Sequence, residues 1–291
     1  MSSQQPITVL APGKINLALN VGKTRADGFH EVDMIMQQVS VFDEVRLSVS
    51  ESGSVEMVCD NETLETDESN LCVKAFRAME KACHVPPVRI ELVKRIPIAA
   101  GMAGGSTDAA AVIRGINRMF ALGLSLEEEC AIGAQIGSDV PFCLVGGCAR
   151  CVGRGEIVRP LSAYPKCHLV LVKPSFAIST PWSYRVYKEE ADNSPADIEA
   201  MSKAILEGDL RGVCAAMGNQ LAKAAEEAHP QIVAIRAFLE AQGAVRAMMT
   251  GSGPTVFGVF EEEAAAEKAL QAVSGKFPDC RALRCETLSE T

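Results

Sequence analysis

The sequence predicts an α+β protein of two domains that meet near residue 160. Segments with the two-residue alternation of strands are mixed with segments of helical spacing in both halves of the chain. The length of 291 residues suits one or two domains, and a hydrophobic fraction of 48% is ordinary for a protein with a buried core. Because the pattern of apolar segments restarts around residues 161–166, we expect domains over residues 1–160 and 161–291.

The first half of the chain combines strands with three helices. Its predicted strands are residues 7–10, 15–21, 39–49, 54–59 and 88–92, with further strand residues and several glycines over 145–158. Pro12-Gly13 is expected to separate the first two strands. Its predicted helices are residues 71–83, about 108–120, and 126–135. The polar and acidic residues 61–70 predict a surface loop.

The second half is expected to contain four strands and four helices. Its predicted strands are residues 168–173, 244–250, 255–260 and 281–286. Its predicted helices are residues 198–206, 210–225, 231–242 and 261–272.

Composition and charge exclude several classes of function. The chain has 28 basic and 37 acidic residues, a net charge of −9, which argues against a nucleic-acid partner. No apolar run reaches the roughly 18–20 residues that a membrane span needs. Strand-like sequence begins within a few residues of Met1, which leaves no room for a signal peptide. We therefore expect a soluble cytoplasmic protein with no membrane partner.

The cysteines predict buried, reduced thiols. There are 11 of them, and most lie in apolar surroundings, as Cys72 and Cys143 do. Cys148 and Cys151 form a C-x-x-C pair, but no second ligand pair lies at a spacing that would complete a zinc site. The sequence therefore predicts no metal–thiolate site.

A glycine-rich segment between a predicted strand and a predicted helix is the main candidate for binding an anion. Small residues allow a ligand to approach the backbone closely, and the N–H groups and dipole of the following helix favour a phosphate. The hydroxyl of Ser106 or Thr107 would point toward phosphate or Mg²⁺. The segment consists of Pro97, Ile98, Ala99, Ala100, Gly101, Met102, Ala103, Gly104, Gly105, Ser106 and Thr107.

Two alternatives apply to this segment. Its glycine spacing fits neither the dinucleotide G-x-G-x-x-G pattern nor a Walker motif. Taken alone, it could equally be a tight strand–helix connection without a ligand.

Three further motifs accompany the glycine-rich segment in a fixed order. They are PGKINL (residues 12–17) with RADGFHE (25–31), GSDVPF (137–142), and MTGSGPT (249–255). Together the four motifs resemble those of the GHMP kinase superfamily, and the resemblance covers nearly the whole chain. Residues 26–30 and 137–141 resemble the corresponding motifs of one branch of this superfamily. The kinases of that branch phosphorylate a cytidine-diphosphate-linked methylerythritol in non-mevalonate isoprenoid biosynthesis.

The resemblance implies a fold and an activity. The family has an N-terminal domain like domain 2 of ribosomal protein S5 and a ferredoxin-like C-terminal domain, with ATP and substrate bound in the cleft between them. It implies transfer of the γ-phosphoryl group from ATP, with Mg²⁺, to the substrate's 2-hydroxyl. The resemblance leaves open whether the protein forms a homodimer.

The resemblance also assigns three residues to the reaction. Asp139 matches the catalytic base, and Lys14 lies beside that carboxylate in the family, where a cation would keep it charged and stabilise the reacting oxygens. Asn16 would point the same way as Lys14 on a strand and contact the substrate. Without the resemblance, Asp139 would be an ordinary turn residue, Lys14 a surface lysine and Asn16 an exposed strand residue.

The resemblance also assigns residues that bind the cytosine of the substrate and the adenine of ATP. Phe29 and His30 match residues that recognise cytosine, Tyr184 matches the second aromatic ring of that site, and Thr180 matches a contact to the alcohol end. Without the resemblance, Phe29 and His30 would be partly core and partly surface. The positions near adenine are Asn70, Leu71 and Lys94.

The sequence departs from the family pattern in the glycine-rich segment. Alanines at 99, 100 and 103 replace some glycines, and Thr107 replaces a serine. We expect these replacements to affect the affinity for the nucleotide more than the activity.

Three other functions compete with the one that the resemblance implies. They are a mevalonate or homoserine kinase, a non-catalytic nucleotide-binding protein, and a dinucleotide oxidoreductase, whose glycine spacing is absent.

Overall fold

The computed structural model describes residues 5–162, 164–188 and 195–289. Contacts divide the chain into two compact units. Unit 1 comprises the described part of Met1–Gly13 with Val41–Ile96 and Ala103–Val145. Unit 2 comprises Lys14–Ser40, Pro97–Met102 and the described part of Gly146–Thr291. The predicted division into residues 1–160 and 161–291 stays a prediction.

Unit 1 contains both strands and helices, and its two longest strands also run into unit 2. In chain order the elements are β1 (Ile7–Thr24), β2 (His30–Val49), β3 (Glu56–Cys59), α1 (Leu71–Cys83), β4 (Val88–Val93), α2 (Gly104–Met119), α3 (Leu126–Gly133) and α4 (Val140–Val145). β4 pairs with β2 antiparallel and with β3 parallel, with Ile90 opposite both Leu47 and Met57. The period-two pattern of 88–92 is confirmed as a strand.

A glycine lets α2 pack directly on the sheet of unit 1. A Cβ at Gly115 would lie 2.5 Å from Cδ1 of Leu47 and 3.2 Å from Cγ2 of Val9. The helix therefore lies closer to the strands than any larger residue would allow. This packing fixes the position of its first turn, which follows the glycine-rich segment directly.

Unit 2 continues the chain with β5 (Cys148–Gly153), β6 (Ile157–Pro160), β7 (His168–Lys173), α5 (Thr180–Val186), α6 (Ile198–Glu207), α7 (Leu210–Ala216), β8 (Gly218–Asn219), α8 (Ala222–Ala228), α9 (Pro230–Ala241), β9 (Arg246–Met249), β10 (Val256–Phe260), α10 (Glu263–Lys276) and β11 (Arg281–Glu286). A four-stranded antiparallel sheet has the order β11-β7-β10-β9. Its core includes Val170, Phe260, Ile235 from α9 and Ala269 from α10. The mixture of strands and helices predicted for both halves is confirmed.

Several predicted boundaries are wrong. Pro12-Gly13 does not split β1, because proline lacks only a donor and its φ is compatible with an extended strand. Helix α2 begins at Gly104 rather than near residue 108. The predicted helix 210–225 is interrupted by β8, whose Gly218 and Asn219 pair with β1. The short helices α4 and α5 were not predicted, because fewer than two turns leave little periodicity to detect.

The cysteine prediction is confirmed. All 11 thiols are free, and seven of them are buried: Cys72, Cys143, Cys148, Cys151, Cys167, Cys214 and Cys285. Burial raises the pKa of Cys130 to about 11 and that of Cys148 to about 12, as expected for thiols in apolar surroundings. Among the described residues, every helix falls short of the length and apolarity required to cross a membrane.

Candidate active site

Lys14 lies at the centre of a buried polar cluster in unit 2. Its side chain is 4% exposed, and its ammonium donates to Oδ1 of Asn16 at 2.6 Å and to the carbonyl of Gly101 at 3.0 Å. The predicted common direction of Lys14 and Asn16 is thus observed. A buried ammonium needs such partners, because burying a charge without them is costly.

The turn of residues 250–251 completes this cluster. The backbone N–H of Asn16 donates to Oγ1 of Thr250 at 2.9 Å. A Cβ at Gly251, where φ is +57°, would lie 2.8 Å from the carbonyl oxygen of Gly101 and 3.3 Å from Nζ of Lys14. Only glycine leaves room for the lysine at this position. Asn219 holds the turn by donating to the carbonyls of Met249 at 2.8 Å and Gly251 at 2.9 Å.

Gly101 is required by both its conformation and its surroundings. Its φ is +73°, and a Cβ there would lie 2.3 Å from the carbonyl oxygen of Thr250. Gly101→Ala is therefore expected to destabilise the protein by about 2–4 kcal/mol, measured by urea unfolding. Gly53→Ala is the matched control, because φ is +76° there but no atom lies within 4 Å of the added Cβ. The control should cost only about 1–2 kcal/mol; equal costs would contradict a steric role for Gly101.

Three of the residues assigned to cytosine and to the alcohol end of the substrate make specific contacts within unit 2. His30 stacks on Tyr184 of α5 with ring centroids 5.6 Å apart and an interplanar angle of 26°. Nδ1 of His30 lies 3.1 Å from the carbonyl oxygen of Gly22, which fixes the ring. The hydroxyl of Thr180 lies 3.0 Å from that of Ser252, in the glycine turn after β9.

The side chain of Phe29 lies at the surface, and the residue is 51% exposed. The guanidinium of Arg154, at the tip of the β5–β6 hairpin, lies 5.1 Å from its ring centroid. A cation at this distance attracts the face of an aromatic ring. An exposed aromatic face, held by a cation and close in sequence to a stacked imidazole, is suited to contact a planar base.

The first turn of α2 offers backbone N–H groups to an anion. The helix begins after Ala103, a residue that has no side-chain oxygen with which to cap it and has φ of +56°. Ser106, Thr107 and Asp108 are residue types that often cap helices, but here they already lie inside the helix. The N–H groups of a first turn have no partners within the helix. They are therefore the natural ligands for a phosphate.

The two hydroxyl groups of this turn have different surroundings. The side chain of Thr107 is 1% exposed and donates to the carbonyl of Pro12 at 2.8 Å. Ser106 is only half-buried. Thr107 therefore holds the backbone in place, and the Ser106 hydroxyl is the one open to a ligand.

The residues assigned to adenine lie beside this turn. A Cβ at Gly105 would be 3.3 Å from Cδ1 of Leu71, and a Cβ at Gly104 would be 3.3 Å from Nζ of Lys94. Asn70 caps α1, accepting from the N–H of Cys72 at 2.9 Å and donating to the carbonyl of Glu65 at 2.7 Å. Leu71 and Lys94 thus adjoin the helix terminus, while the side chain of Asn70 is engaged in capping.

Lys94 also belongs to a buried ion cluster. Its ammonium donates to Oδ2 of Asp108 at 2.7 Å and to a carboxylate oxygen of Asp43. The three side chains are at most 5% exposed. Burial and the neighbouring charge of Asp43, opposed by Lys94, raise the pKa of Asp108 to about 7. Sequence inspection did not identify Asp43 or Asp108, since an aspartate in an apolar strand or a helix start has many uses.

Asp139 lies in unit 1, in the turn immediately before α4. It is half-buried, and its carbonyl accepts from the N–H of Cys143 at 3.1 Å. This hydrogen bond fixes the backbone of Asp139 in the turn. The role of this carboxylate stays a prediction.

Some residues of the site were missed in the sequence. Asn219, Thr250 and Gly251 organise the lysine cluster, and Arg154 holds Phe29. Thr250 and Gly251 lie in a recognised motif and could have been chosen from it. Asn219 gave one weak signal, because asparagine is unfavourable inside the helix predicted there.

Comparisons with known proteins agree with these motifs. Residues 70–147 match the family model described as GHMP kinases N terminal domain, and residues 201–279 match GHMP kinases C terminal. The 4-diphosphocytidyl-2-C-methyl-D-erythritol kinase of Geobacillus thermodenitrificans (strain NG80-2) is 40% identical over 271 residues, covering 92% of this chain and 93% of that protein.

Solved structures agree as well. A crystal structure of 4-(cytidine 5'-diphospho)-2C-methyl-D-erythritol kinase superposes with a TM-score of 0.80 at 30% identity, covering 97% of this chain and 99% of that one. The homoserine kinase of Cytophaga hutchinsonii ATCC 33406 has a TM-score of 0.79 at 18% identity, covering 100% of this chain and 96% of that one, and shares the fold alone. The two-domain α+β prediction is confirmed, and this chain belongs to the GHMP kinase family, in the group that contains the 4-diphosphocytidyl-2-C-methyl-D-erythritol kinases.

Proposed function

We propose that this protein transfers the γ-phosphoryl group of ATP to the 2-hydroxyl of 4-diphosphocytidyl-2-C-methyl-D-erythritol, a step of non-mevalonate isoprenoid biosynthesis. The observation that carries the proposal is the stack of His30 on Tyr184, with the exposed ring of Phe29 adjoining His30 in sequence. It occurs in a chain 40% identical to kinases of that name. ATP and Mg²⁺ as reactants support a cytoplasmic location.

In this proposal the protein binds the acceptor substrate through its cytosine ring. Tyr184 and Phe29 offer aromatic faces to cytosine, and His30 offers a ring nitrogen to its hydrogen-bonding edge. Mevalonate and homoserine have no base, so a kinase for either would gain nothing from these side chains. Thr180, with its hydroxyl beside that of Ser252, would contact the alcohol end.

The phosphates of ATP are assigned to the glycine-rich segment. The N–H groups of the first turn of α2 and the hydroxyl of Ser106 would bind them, and Leu71 and Lys94 adjoin the place for adenine. Ser106 and the Asp139 carboxylate supply hard oxygen atoms of the kind that Mg²⁺ takes, together with phosphate oxygens. The ion, when bound, neutralises charge on the phosphates.

The transfer itself requires a proton acceptor and a cation. Asp139 would take the proton of the substrate's attacking hydroxyl. The oxygen of that hydroxyl would form a bond to the γ-phosphorus, while the bond between the γ-phosphorus and the β-phosphate oxygen breaks and ADP leaves. The Lys14 ammonium would stabilise negative charge on the reacting oxygens. Asn16 and the Gly101 carbonyl hold that ammonium in one orientation, which avoids reorganisation during the reaction.

Removing one face of the base site tests the proposal. Tyr184→Ala should raise KM for the cytidine substrate by about 10–100-fold, because stacking on a base contributes roughly 1–3 kcal/mol. KM for ATP should stay within about twofold, which serves as the internal control for folding. An unchanged KM for the cytidine substrate would contradict the assignment of Tyr184 to cytosine.

A further inference from the structure

Two hairpin tips of unit 2 lie next to each other. One is the turn of residues 25–29 between β1 and β2, which carries Phe29, and the other is the turn of residues 154–156 between β5 and β6, which carries Arg154. β5 pairs antiparallel with β2, and Val32 is opposite Gly153. Both turns therefore leave the sheet at the same edge, where their side chains can meet.

Hydrogen bonds fix the backbone of the β1–β2 turn. The N–H of Arg25 donates to the carbonyl of Phe29 at 2.6 Å, and the N–H of Gly28 donates to the carbonyl of Arg25 at 3.1 Å. The N–H of Phe29 donates to Oδ1 of Asp27 at 3.1 Å. These bonds hold the main chain, whereas the orientation of the exposed Phe29 side chain depends on what touches its ring.

The β5–β6 turn holds Arg154 through its backbone and through its side chain. The N–H of Arg154 donates to Oε2 of Glu156 at 2.6 Å, and its Nε lies 3.7 Å from Oε1 of the same carboxylate. A Cβ at Gly153, where φ is +75°, would lie 2.9 Å from Oε2 of Glu156. Glycine at 153 therefore lets the glutamate fold back on the turn. The position of the guanidinium is thus set by a short turn and one carboxylate.

The guanidinium covers part of the Phe29 ring. Its Cζ lies 5.1 Å from the ring centroid, within the distance at which a cation is attracted to an aromatic face. This contact joins the two hairpin tips. Because Phe29 stays 51% exposed beside Arg154, the contact leaves ring surface for a second planar group.

We propose that Arg154 is a positioning residue of the acceptor site, which holds one face of Phe29 so that cytosine stacks on the other. The inference rests on the proposed function. Ordering a side chain costs free energy when a ligand binds, and a ring that is already held loses less freedom. Arg154 would thus favour binding of the cytidine substrate without touching it.

A direct role for Arg154 is the competing explanation. A guanidinium also matches the geometry of phosphate oxygens, so the same side chain could bind the diphosphate of the substrate. The surroundings of Arg154 favour the indirect role, because its guanidinium lies over the ring of Phe29 and beside the carboxylate of Glu156. The two roles differ in one measurable respect, since only the indirect role requires the ring of Phe29.

A double-mutant cycle tests the inference. Arg154→Met removes the cation and keeps most of the length of the side chain, and it should raise KM for the cytidine substrate by about two- to tenfold. KM for ATP and kcat should each stay within about twofold, a split that general damage to the fold would not produce. In a Phe29→Leu background, which has no ring to hold, Arg154→Met should change KM by less than about 1.5-fold.

Two further variants serve as controls. Arg154→Lys keeps a cation that is attracted to an aromatic face, so its KM should lie closer to that of the wild type than the KM of Arg154→Met does. Arg77→Met makes the same change at an arginine of α1 whose Cζ lies 5.6 Å from the centroid of Phe76, a fully buried ring. This variant should leave KM for both substrates unaltered.

The outcomes separate the inference from the proposed function. An equal rise in KM with and without the Phe29 ring would overturn the indirect role and assign Arg154 to the diphosphate. An unchanged KM for the cytidine substrate in Arg154→Met would overturn the inference alone. A wild type that does not phosphorylate the cytidine substrate would overturn the proposed function and the inference with it.

Discussion

Asp139→Asn is expected to lower kcat for phosphorylation of the cytidine substrate by about 10²–10⁴-fold, the usual contribution of a general base. The amide has nearly the shape of the carboxylate but cannot accept the proton of the attacking hydroxyl. Because Asp139 lies at the turn before α4 and its backbone carbonyl makes the local hydrogen bond, the change should leave the fold intact. KM for both substrates should change by less than about threefold.

Asp279→Asn provides the matched control for this prediction. Asp279 is an exposed aspartate in the loop before β11, and the same chemical change there should leave kcat unaltered. Rates would be followed by ADP release under saturating ATP and Mg²⁺. An Asp139→Asn enzyme with kcat within about threefold of the wild type would remove Asp139 from the mechanism.

Lys14→Met is expected to lower kcat by about 10²–10³-fold, the loss seen when one preorganised donor is removed from a reacting oxygen. Methionine has a similar length and suits a side chain that is 4% exposed. The substitution also removes the Lys14 donor from Oδ1 of Asn16 and from the Gly101 carbonyl, which should cost about 1–3 kcal/mol of stability.

Thermal unfolding and kinetics separate these two effects. Lys203→Met, at a lysine whose side chain is 74% exposed, is the control for the same substitution and should change neither quantity. Lys14→Met should remain folded at the assay temperature while losing its rate. A folded Lys14→Met enzyme with a normal kcat would show that the buried ammonium serves stability alone.

Local patterns in the sequence predicted most of the elements that carry the site. Apolar residues alternate over 88–92 and recur at helical spacing over 71–83, because one face of each element is buried. Residues close together in the sequence are enough to reveal such a pattern. The wrong boundaries arose where tertiary packing overrides such preferences. Gly104 and Gly105 lie inside the helix, at positions where a Cβ would come within 3.3 Å of Lys94 and of Leu71.

The chemistry of the site was only partly predictable. Lys14 and Asn16 stand two apart in one strand, so their common direction followed from geometry. Asn219 is brought to the 249–251 turn by contacts across 30 and 32 residues, which no local pattern contains. The pairing of Asp43 with Lys94, 51 residues apart, was equally hidden. Such partners emerge only when the fold is known.

The alanines of the glycine-rich segment show where sequence and conformation conflict. Ala99 and Ala103 have φ of +50° and +56°, a region that costs an L-residue roughly 1–2 kcal/mol. The departure from glycine noted in the sequence therefore lies at positions where glycine would relieve strain. The remaining backbone contacts must offset that cost in the folded protein.

Acceptor specificity tests the central claim most directly. The purified protein would be given ATP and Mg²⁺ with 4-diphosphocytidyl-2-C-methyl-D-erythritol, mevalonate or homoserine in parallel, and the products would be examined by ³¹P NMR. The account predicts a new phosphomonoester on the 2-hydroxyl of the cytidine substrate and no turnover of the other two. Turnover of mevalonate or homoserine, with the cytidine substrate left unchanged, would contradict it.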